Sequence, residues 1–468
     1  MNFNQPYPGQ LSSRQMGRIH SASLEILRET GMVFGSPDIV RLCRAHGLKT
    51  SGETVYFDDR SVEKALEMSP NDFTLLARDP DKSVDFSLKA QVLSPGSGAV
   101  YVVDYRGQLS LAAREDFIRA ARLVQALPQL KLCRPLFLPH DVPADRVHAW
   151  MMASQILHQD KPYYLMLAED VEQLSLAFAR EPLAMEEAAV TGRAYGLSSI
   201  NIISPLYMPE AACRNLRAYC QSGVVFNITS MPAAGSTAPC SLPAAIVLQN
   251  CENLGALVLA QLISPGHPVI YGAMGGHNDM KGMRAVYGGP ENRLVEMAGA
   301  QMARYYGLLS RGDAGGTDAP AGDFQAGGES MFQFFSSALL PINLLPGCGH
   351  LGSFMGGSLE KLLLDVELFD YVTEFMKPLN LGEGELALEA IKEVGPKGNF
   401  LNHPLTFKKF RTEFHQPQVF SREPYGRWQQ NGGRTALDLA HDQVRSYLDN
   451  YQAPDIEPDL KKALLKYI

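Results

Sequence analysis

The stretch VVFNITSMPAAGSTAPCSLPAAIVLQNCENLGALVLAQLISPGHPVIYGAM, residues 224–274, holds one full unit of the pattern that decides the fold. VVFNITSM (224–231) carries apolar side chains on both alternating faces, as a strand does when neither face meets water. A loop rich in proline and glycine follows, and then PAAIVLQNCENLGALVLAQLI, a helical stretch with Pro243 in its first turn and Pro265-Gly266 beyond its end. PVIYGAM (268–274) begins the next strand. Strand, helix and strand in this order indicate a parallel sheet sheltered by helices.

The same alternation extends in both directions. Further strands are expected at LKLCRPLFLP (130–139), KPYYLMLA (161–168), SSINIISP (198–205), GLLSRGD (307–313) and PINLLPG (341–347), each followed by helical sequence. Seven or eight such units in about 300 residues favour a (β/α)8 TIM barrel over a doubly wound sheet. Polar and glycine residues gather just after the strands, in PHD (139–141), SPL (204–206), TSMPAAGSTAP (229–239), GAMGGHND (272–279), SRGDAGGTDAPAGDFQ (310–325) and GCGHLGSFMGG (347–357). In a barrel these loops converge on one face, where the chemistry sits.

Residues 1–85 read differently. Ser12 or Ser13 caps a helix whose apolar face is Met16, Ile19, Ile26 and Leu27 and which stops at Gly31; a second helix covers 37–46. The alternating TVYFD, the short helix SVEKALEMS and the strand-like FTLLARD complete an α+β cap, leaving 86–468 as the barrel with a C-terminal helical extension. Between them SPGSG (94–98) reads as a turn, and AVYVVDYRGQLSL as a hairpin turning at Tyr105, Arg106 and Gly107.

Composition narrows the partners. The 468 residues are 46% hydrophobic with a formal charge of −8, enough for a large core, and they carry no basic run suited to nucleic acid. The N-terminus lacks the pattern of a signal peptide and no window of uninterrupted apolar residues would span a bilayer, so the expected location is the cytoplasm. Seven cysteines without a C-x-x-C fit reduced packing thiols. No G-x-S-x-G elbow or P-loop is present.

Several constellations carry possible chemistry. Gly347, Gly349 and Gly352 spell G-x-G-x-x-G after a strand, with Asp365 and Glu367 near the spacing of a ribose acid. A dinucleotide fingerprint, however, opens a helix in the first βαβ unit, whereas this one comes late and is interrupted by Gly356 and Gly357. Cys348-x-His350, with Cys240 as a third group, is too sparse to define a zinc site. Arg311, Asp313, Asp318, Asp323, Gln325 and Glu329 crowd one loop, where carboxylates either do acid-base work, attract a cation or merely form turns. Among the aromatics, Tyr271 and Phe354 lie in glycine-bearing loops and suit a cation held over ring faces; Phe332 and Phe335, at helical spacing, read as packing.

The central run from NITSMPAAGSTAP to VIYGAM, the following GPENRLVEMAGAQMARYYGLLSRGDAGGTDAPAGDFQAGGES, and the flanking SLEILRETGMVF and LALEAIKEVGPKGNFL resemble the trimethylamine methyltransferase family over nearly the whole chain. The resemblance implies a TIM-barrel enzyme that moves a methyl group from an amine to the Co(I) centre of a cobalamin held by a separate corrinoid protein, with no permanently bound cofactor. The trimethylamine enzymes carry pyrrolysine; every position here is a standard residue. The chain therefore resembles the non-pyrrolysine branch, whose substrates are quaternary amines such as glycine betaine, proline betaine and carnitine. A quaternary ammonium leaves as a neutral tertiary amine, so the enzyme needs no general acid, no metal of its own and no catalytic nucleophile, only aim and exclusion of water.

On this reading Tyr271, Arg311, Asp313, Asp318, Gln325, His350 and Phe354 contact substrate, with Arg311 or His350 serving a carboxylate. Gly347, Gly349 and Gly352 let the corrin face approach. A homodimer is expected from the cap and from the prevalence of symmetric oligomers. Two other functions compete: a zinc-dependent barrel enzyme, and a quaternary-amine binding protein without turnover.

Overall fold

The computed structural model describes residues 10–165, 193–340 and 342–468. Its centre is a six-stranded parallel sheet. In chain order the strands are β1 (Val92–Pro95), β2 (Leu197–Asn201), β3 (Val225–Thr229), β4 (Val269–Gly272), β5 (Ser310–Arg311) and β6 (Leu344–Cys348), laid out as β2-β3-β4-β5-β6-β1. Neighbours all run parallel, with β6 returning to pair with β1 at the register Leu344 to Val92.

Two extended segments continue the ladder between β1 and β2 through single parallel bridges: Leu93 to Leu130, Cys133 to Tyr163 and Tyr164 to Leu197. Backbone bonds accompany them, Lys131 N–H to Leu93 at 2.9 Å and Leu165 N–H to Leu197 at 2.8 Å. The expected strand 130–139 is thus a short extended segment, because Pro135 has no N–H to continue a ladder. Of the expected strand 161–168, residues 166–168 lie outside the described set, as does Pro341 of 341–347.

The turn expected at Ser94 to Gly98 is corrected: Ser94 and Pro95 end β1, buried throughout, and the chain bends only after them. The hairpin that follows, Tyr101–Val103 with Leu109–Leu111, forms as read.

One apolar side chain from each of the eight extended segments joins a single layer: Val92, Leu132, Tyr164, Leu197, Val225, Ile270, Leu309 and Leu344. Phe73, Leu75, Val84 and Phe86 of an antiparallel hairpin belong to the same cluster, and Phe73 stacks on Phe86 at 4.7 Å. That hairpin comes from the first 86 residues and is fastened by a parallel pairing of Phe73–Leu75 with Arg193–Ala194.

The N-terminal helices form as the sequence indicates. Helix α1 (Ser13–Glu29) starts from a capping box in which the Ser12 hydroxyl accepts from Gln15, and the chain leaves it through Gly31 at φ +73°. Helices α2 (Pro37–Ala45) and α3 (Asp59–Met68) follow. All three pack against α4 (Leu242–Ile263), the helix after β3. That explains an unusual helix: α4 is long and apolar enough to cross a membrane, yet 83% of its apolar window is buried in protein.

Its polar residues Gln249, Asn250, Glu252, Asn253 and Gln261 are buried as well, and two of them tie the helix to neighbouring strands and loops. Asn253 accepts from the Gly272 N–H at 2.8 Å and donates to the Gly272 carbonyl at 3.1 Å, clamping β4. Glu252 accepts from Ser204 (2.8 Å), Ser230 (2.6 Å) and Leu206 N–H (2.9 Å), tying down the loops after β2 and β3. Helices α5 (Pro290–Tyr305), α6 (Phe324–Leu339) and α7 (Leu359–Phe375) follow β4, β5 and β6.

Candidate active site at the C-terminal ends of the strands

Inward positions recur every second residue along a strand. One step beyond the apolar layer, toward the C-terminal ends, the same face carries Ser94, Arg134, Ser199, Asn227 and Arg311. Burial here is apolar below and polar above, with the change occurring at the same height on five segments. Tyr164 donates to Ser199 at 2.8 Å, Ser199 to Asn227 at 2.9 Å, and Asn227 to Thr229 at 3.1 Å, so this wall is a connected chain of hydrogen bonds.

Two guanidinium groups face it. Arg134 lies over the Tyr164 ring with its central carbon 4.5 Å from the centroid, and its Nε is buried without a partner. Arg311 is buried and donates from Nη2 to Asp313 at 2.8 Å, while its Nε and Nη1 have no partner. The groups are close enough to sense one another: burial lowers the pKa of Arg134, Tyr164 raises it, Arg311 lowers it and Asp313 raises it. Two cations against one carboxylate leave an excess of positive charge and several unmet N–H donors.

Above them sits the hairpin formed by His350–Leu351 and Gly356–Gly357, which joins the 101–111 hairpin in a second sheet. His350 is fully buried, and its ring occupies the space where Gly96 lacks a side chain, since a Cβ there would fall 1.7 Å from the ring. Its Nε2 accepts from the Ser97 N–H at 2.8 Å, leaving Nδ1 to carry the proton toward the Gly356 carbonyl at 3.3 Å. Burial, then the charge of Arg134, pushes its pKa down to about 3, so the imidazole is neutral.

Phe354 stands 4.7 Å from His350 and 4.4 Å from Tyr287, edge to face with the latter, and Gly316 has no room for a side chain beneath it. Ser353 and Phe354 both hold positive φ, +55° and +70°, a conformation costly for a bulky residue. The turn is kept there by Ser353 N–H to Thr317 O (3.0 Å), Gly352 N–H to Ala319 O (2.8 Å) and Ser353 Oγ to Asp318 (2.7 Å). Burial, followed by Asp313 and Asp318, raises the Tyr287 phenol to about 12.

The expected site residues therefore divide. Arg311, Asp313, His350 and Phe354 come together. Asp318 is beside them but is a staple: its carboxylate accepts from Tyr287 N–H (3.0 Å), Gly288 N–H (2.8 Å) and Ser353, which fixes Tyr287 and Phe354 in place. Gln325 is exposed on the first turn of α6 and donates to Glu329 at 2.8 Å. Tyr271 does not join the group. It follows the inward Ile270 and so faces outward, its hydroxyl donating to Asn250 of α4 at 2.9 Å.

The glycine motif opens no helix: Gly347 at φ +131° packs against the Ala314 carbonyl, Gly349 at +87° against Leu362, and Gly352 at +54° borders open space. Asp365, spaced like a ribose acid, is buried, paired with Lys361 and accepting from Gly349 N–H at 2.8 Å. Cys348 points at the Ala314 carbonyl, away from the contacts of His350, and burial pushes its thiol pKa up. Among the described residues, no group of three metal-ligating side chains occurs.

Arg134 and Tyr287 are not among the residues the sequence pointed to, and Tyr164 entered only as part of the expected strand 161–168. The signal for Arg134 was present: a single arginine inside the apolar run LCRPLF must find a partner or line a site.

A parallel α/β sheet covered by helices, with buried guanidinium groups and neutral aromatic rings gathered at the C-terminal ends of its strands, defines the class: an α/β protein whose candidate site lies at those strand ends. Residues 3–468 match the family model described as trimethylamine methyltransferase (MTTB). The chain is 33% identical to a glycine betaine methyltransferase of Desulfitobacterium hafniense (strain Y51), over 98% of this chain and 96% of the relative. It is 28% identical to a trimethylamine methyltransferase, MttB, of Desulfitobacterium hafniense (strain DSM 10664 / DCB-2), over 98% and 92%. In fold it resembles the crystal structure of the Methanosarcina barkeri monomethylamine methyltransferase MtmB, with a TM-score of 0.52, 11% identity and coverage of 96% and 90%. The chain belongs to the trimethylamine methyltransferase family and is a methyltransferase.

Proposed function

We propose that this enzyme takes a methyl group from a quaternary amine carrying a carboxylate, glycine betaine fitting best, and delivers it to the corrinoid of a separate carrier protein, releasing a tertiary amine. The observation that carries the reading is the meeting of unpartnered guanidinium N–H groups on Arg134 and Arg311 with the rings of Tyr287 and Phe354. A zwitterion answers both halves. Its carboxylate accepts from the guanidinium groups in charge-assisted bonds, and its methylated nitrogen, which has no N–H, is held by ring faces and by the charge of Asp313. Trimethylamine would leave the guanidinium donors unmet, at the cost of buried unsatisfied groups.

The corrinoid supplies the nucleophile when its carrier docks. The residues of this chain need only hold the substrate with one N-methyl turned to the mouth and keep water from the recess. Neutral His350 and the un-ionised Tyr287 suit a reaction whose leaving group takes no proton.

The scaffold we infer is a closed (β/α)8 barrel, supported by the bridges at 93–130, 133–163 and 164–197 and by the apolar layer with one residue from each of eight segments. Its mouth carries exposed Met280, Met283, Phe324 and Met355, the last beside open Gly352. A shallow apolar rim of this kind fits the flat face of a macrocycle and the protein that carries it. In this reading Gly352 permits close approach, while Gly347 and Gly349 shape the hairpin beneath it.

Titration calorimetry with glycine betaine, choline and trimethylamine tests the site. Binding of glycine betaine at least about tenfold tighter than choline, which keeps the ammonium and lacks the carboxylate, is expected. Equal affinity for the two would remove the role of the arginines.

A further inference from the structure

Helix α7 ends at Phe375, and the chain comes back to it at His415, whose ring lies 5.4 Å from Tyr371, and at Gln418 and Val419, whose N–H groups donate to Glu367 at 2.8 and 3.2 Å. Both ends of the excursion are therefore anchored within a few turns of one helix. Between Thr373 and Gln418 no residue is buried. The excursion is nevertheless apolar. Leu379 is 89% exposed, Leu401 73%, Leu381 71% and Phe407 65%, and Phe375, Leu386, Leu388, Ile391 and Phe414 are also open to solvent. It is also structured, with helices at Leu388–Val394 and Pro404–Glu413.

Twelve large hydrophobic residues between 375 and 414 are exposed, which amounts to on the order of 1,000 Å² of apolar surface. A monomer seldom shows more than a few hundred Å² in one patch, whereas a permanent dimer contributes roughly 800 Å² or more per partner. At the base of the arm a groove of ≈ 430 Å³, lined by Met331, Phe335, Tyr371 and Phe375, extends the same surface.

We infer that residues 375–414 and this groove form the contact for a second copy of this chain. The amount and apolarity of the surface fit a permanent interface, which a transient carrier does not need. Charge favours a like partner as well: residues 376–414 hold five acidic and six basic residues, near balance in a chain of net −8, so two copies meet here without repulsion. The arm leaves and rejoins α7 away from the mouth loops, so dimerisation leaves the candidate site open.

Sedimentation equilibrium on the full chain at micromolar concentration is the test, beside a variant with Leu379→Glu, Leu381→Glu and Phe407→Glu. All three side chains are exposed, so the fold does not depend on them. The native chain is expected at twice its 51.3 kDa mass or more, and the variant at the monomer mass with an unchanged circular dichroism spectrum. A monomeric native chain, or a variant that keeps the native mass, would overturn the inference. Hydrogen exchange decides the case in which the variant misfolds: slow exchange of amides 388–413 in the native chain, lost on dilution, supports the contact, and fast exchange at micromolar concentration refutes it.

Discussion

Arg311 gives one terminal nitrogen to Asp313 at 2.8 Å and keeps its other terminal nitrogen and Nε for something the protein does not provide. In the function proposed above, these free donors take the carboxylate of the substrate. Because Asp313 depends on it, removing Arg311 alone also strips a buried carboxylate of its partner, a destabilising change of about 3–5 kcal/mol. Arg134→Gln is the cleaner substitution. It is expected to raise KM for glycine betaine roughly 10- to 150-fold, the worth of one charged hydrogen bond, with thermal stability little changed. Steady-state kinetics of the variant check this.

Gly96 is the floor on which His350 lies. Gly96→Ala would set a methyl 1.7 Å from the imidazole, so the ring and its hairpin must move. The expected result is loss of most activity and a destabilisation of about 1–3 kcal/mol or more, seen in denaturant unfolding. Wild-type activity in this variant would mean the hairpin has no role in the reaction.

Phe354 separates function from stability. Its φ of +70° suits glycine better than phenylalanine, so Phe354→Gly relieves backbone strain while deleting a ring of the site. Stability should change by no more than about 1–2 kcal/mol while kcat/KM falls at least about tenfold. A variant that loses stability by more than this but keeps its kcat/KM would show the ring to be mere packing.

Stability should also depend on pH in a defined direction. Burial lowers His267 to about 4 and His350 to about 3, against 6.5 for an ordinary histidine. Between those values the unfolded chain binds protons that the folded chain refuses, so stability falls as pH drops below about 6.5, by at most ~1.4 kcal/mol per unit for each ring. Thermal melts from pH 8 to pH 5 test the sign. His267→Gln, which can keep the bond to the Val224 carbonyl, should flatten the slope.

Much of the scaffold was legible because its determinants are local. The apolar runs at 224–231 and 268–274, the cap at Ser12 and the stop at Gly31 each act through nearest neighbours. The site was only partly legible because its determinants are matters of parity and closure. Tyr271 and Ile270 are adjacent, and which one faces inward is set by the register of β4 against β3 and β5. Asp318 looked like a free carboxylate, but three donors from other loops converge on it. Arg134 was hidden inside an apolar run, and its meaning depends on Arg311, 177 positions away in sequence. The arm from 375 to 414 shows the same limit, since LALEAIKEV reads identically whether its apolar face meets a core or another chain.

The proposed reaction is methyl transfer from a carboxylated quaternary amine to a corrinoid protein. Its most direct test is an anaerobic absorbance assay with a reduced corrinoid carrier, offering glycine betaine, proline betaine, carnitine, choline and trimethylamine separately. Loss of the Co(I) band is expected with a betaine, accompanied by release of the tertiary amine, with little change for choline or trimethylamine. Turnover with trimethylamine but none with any betaine, using a carrier known to be competent, would contradict it.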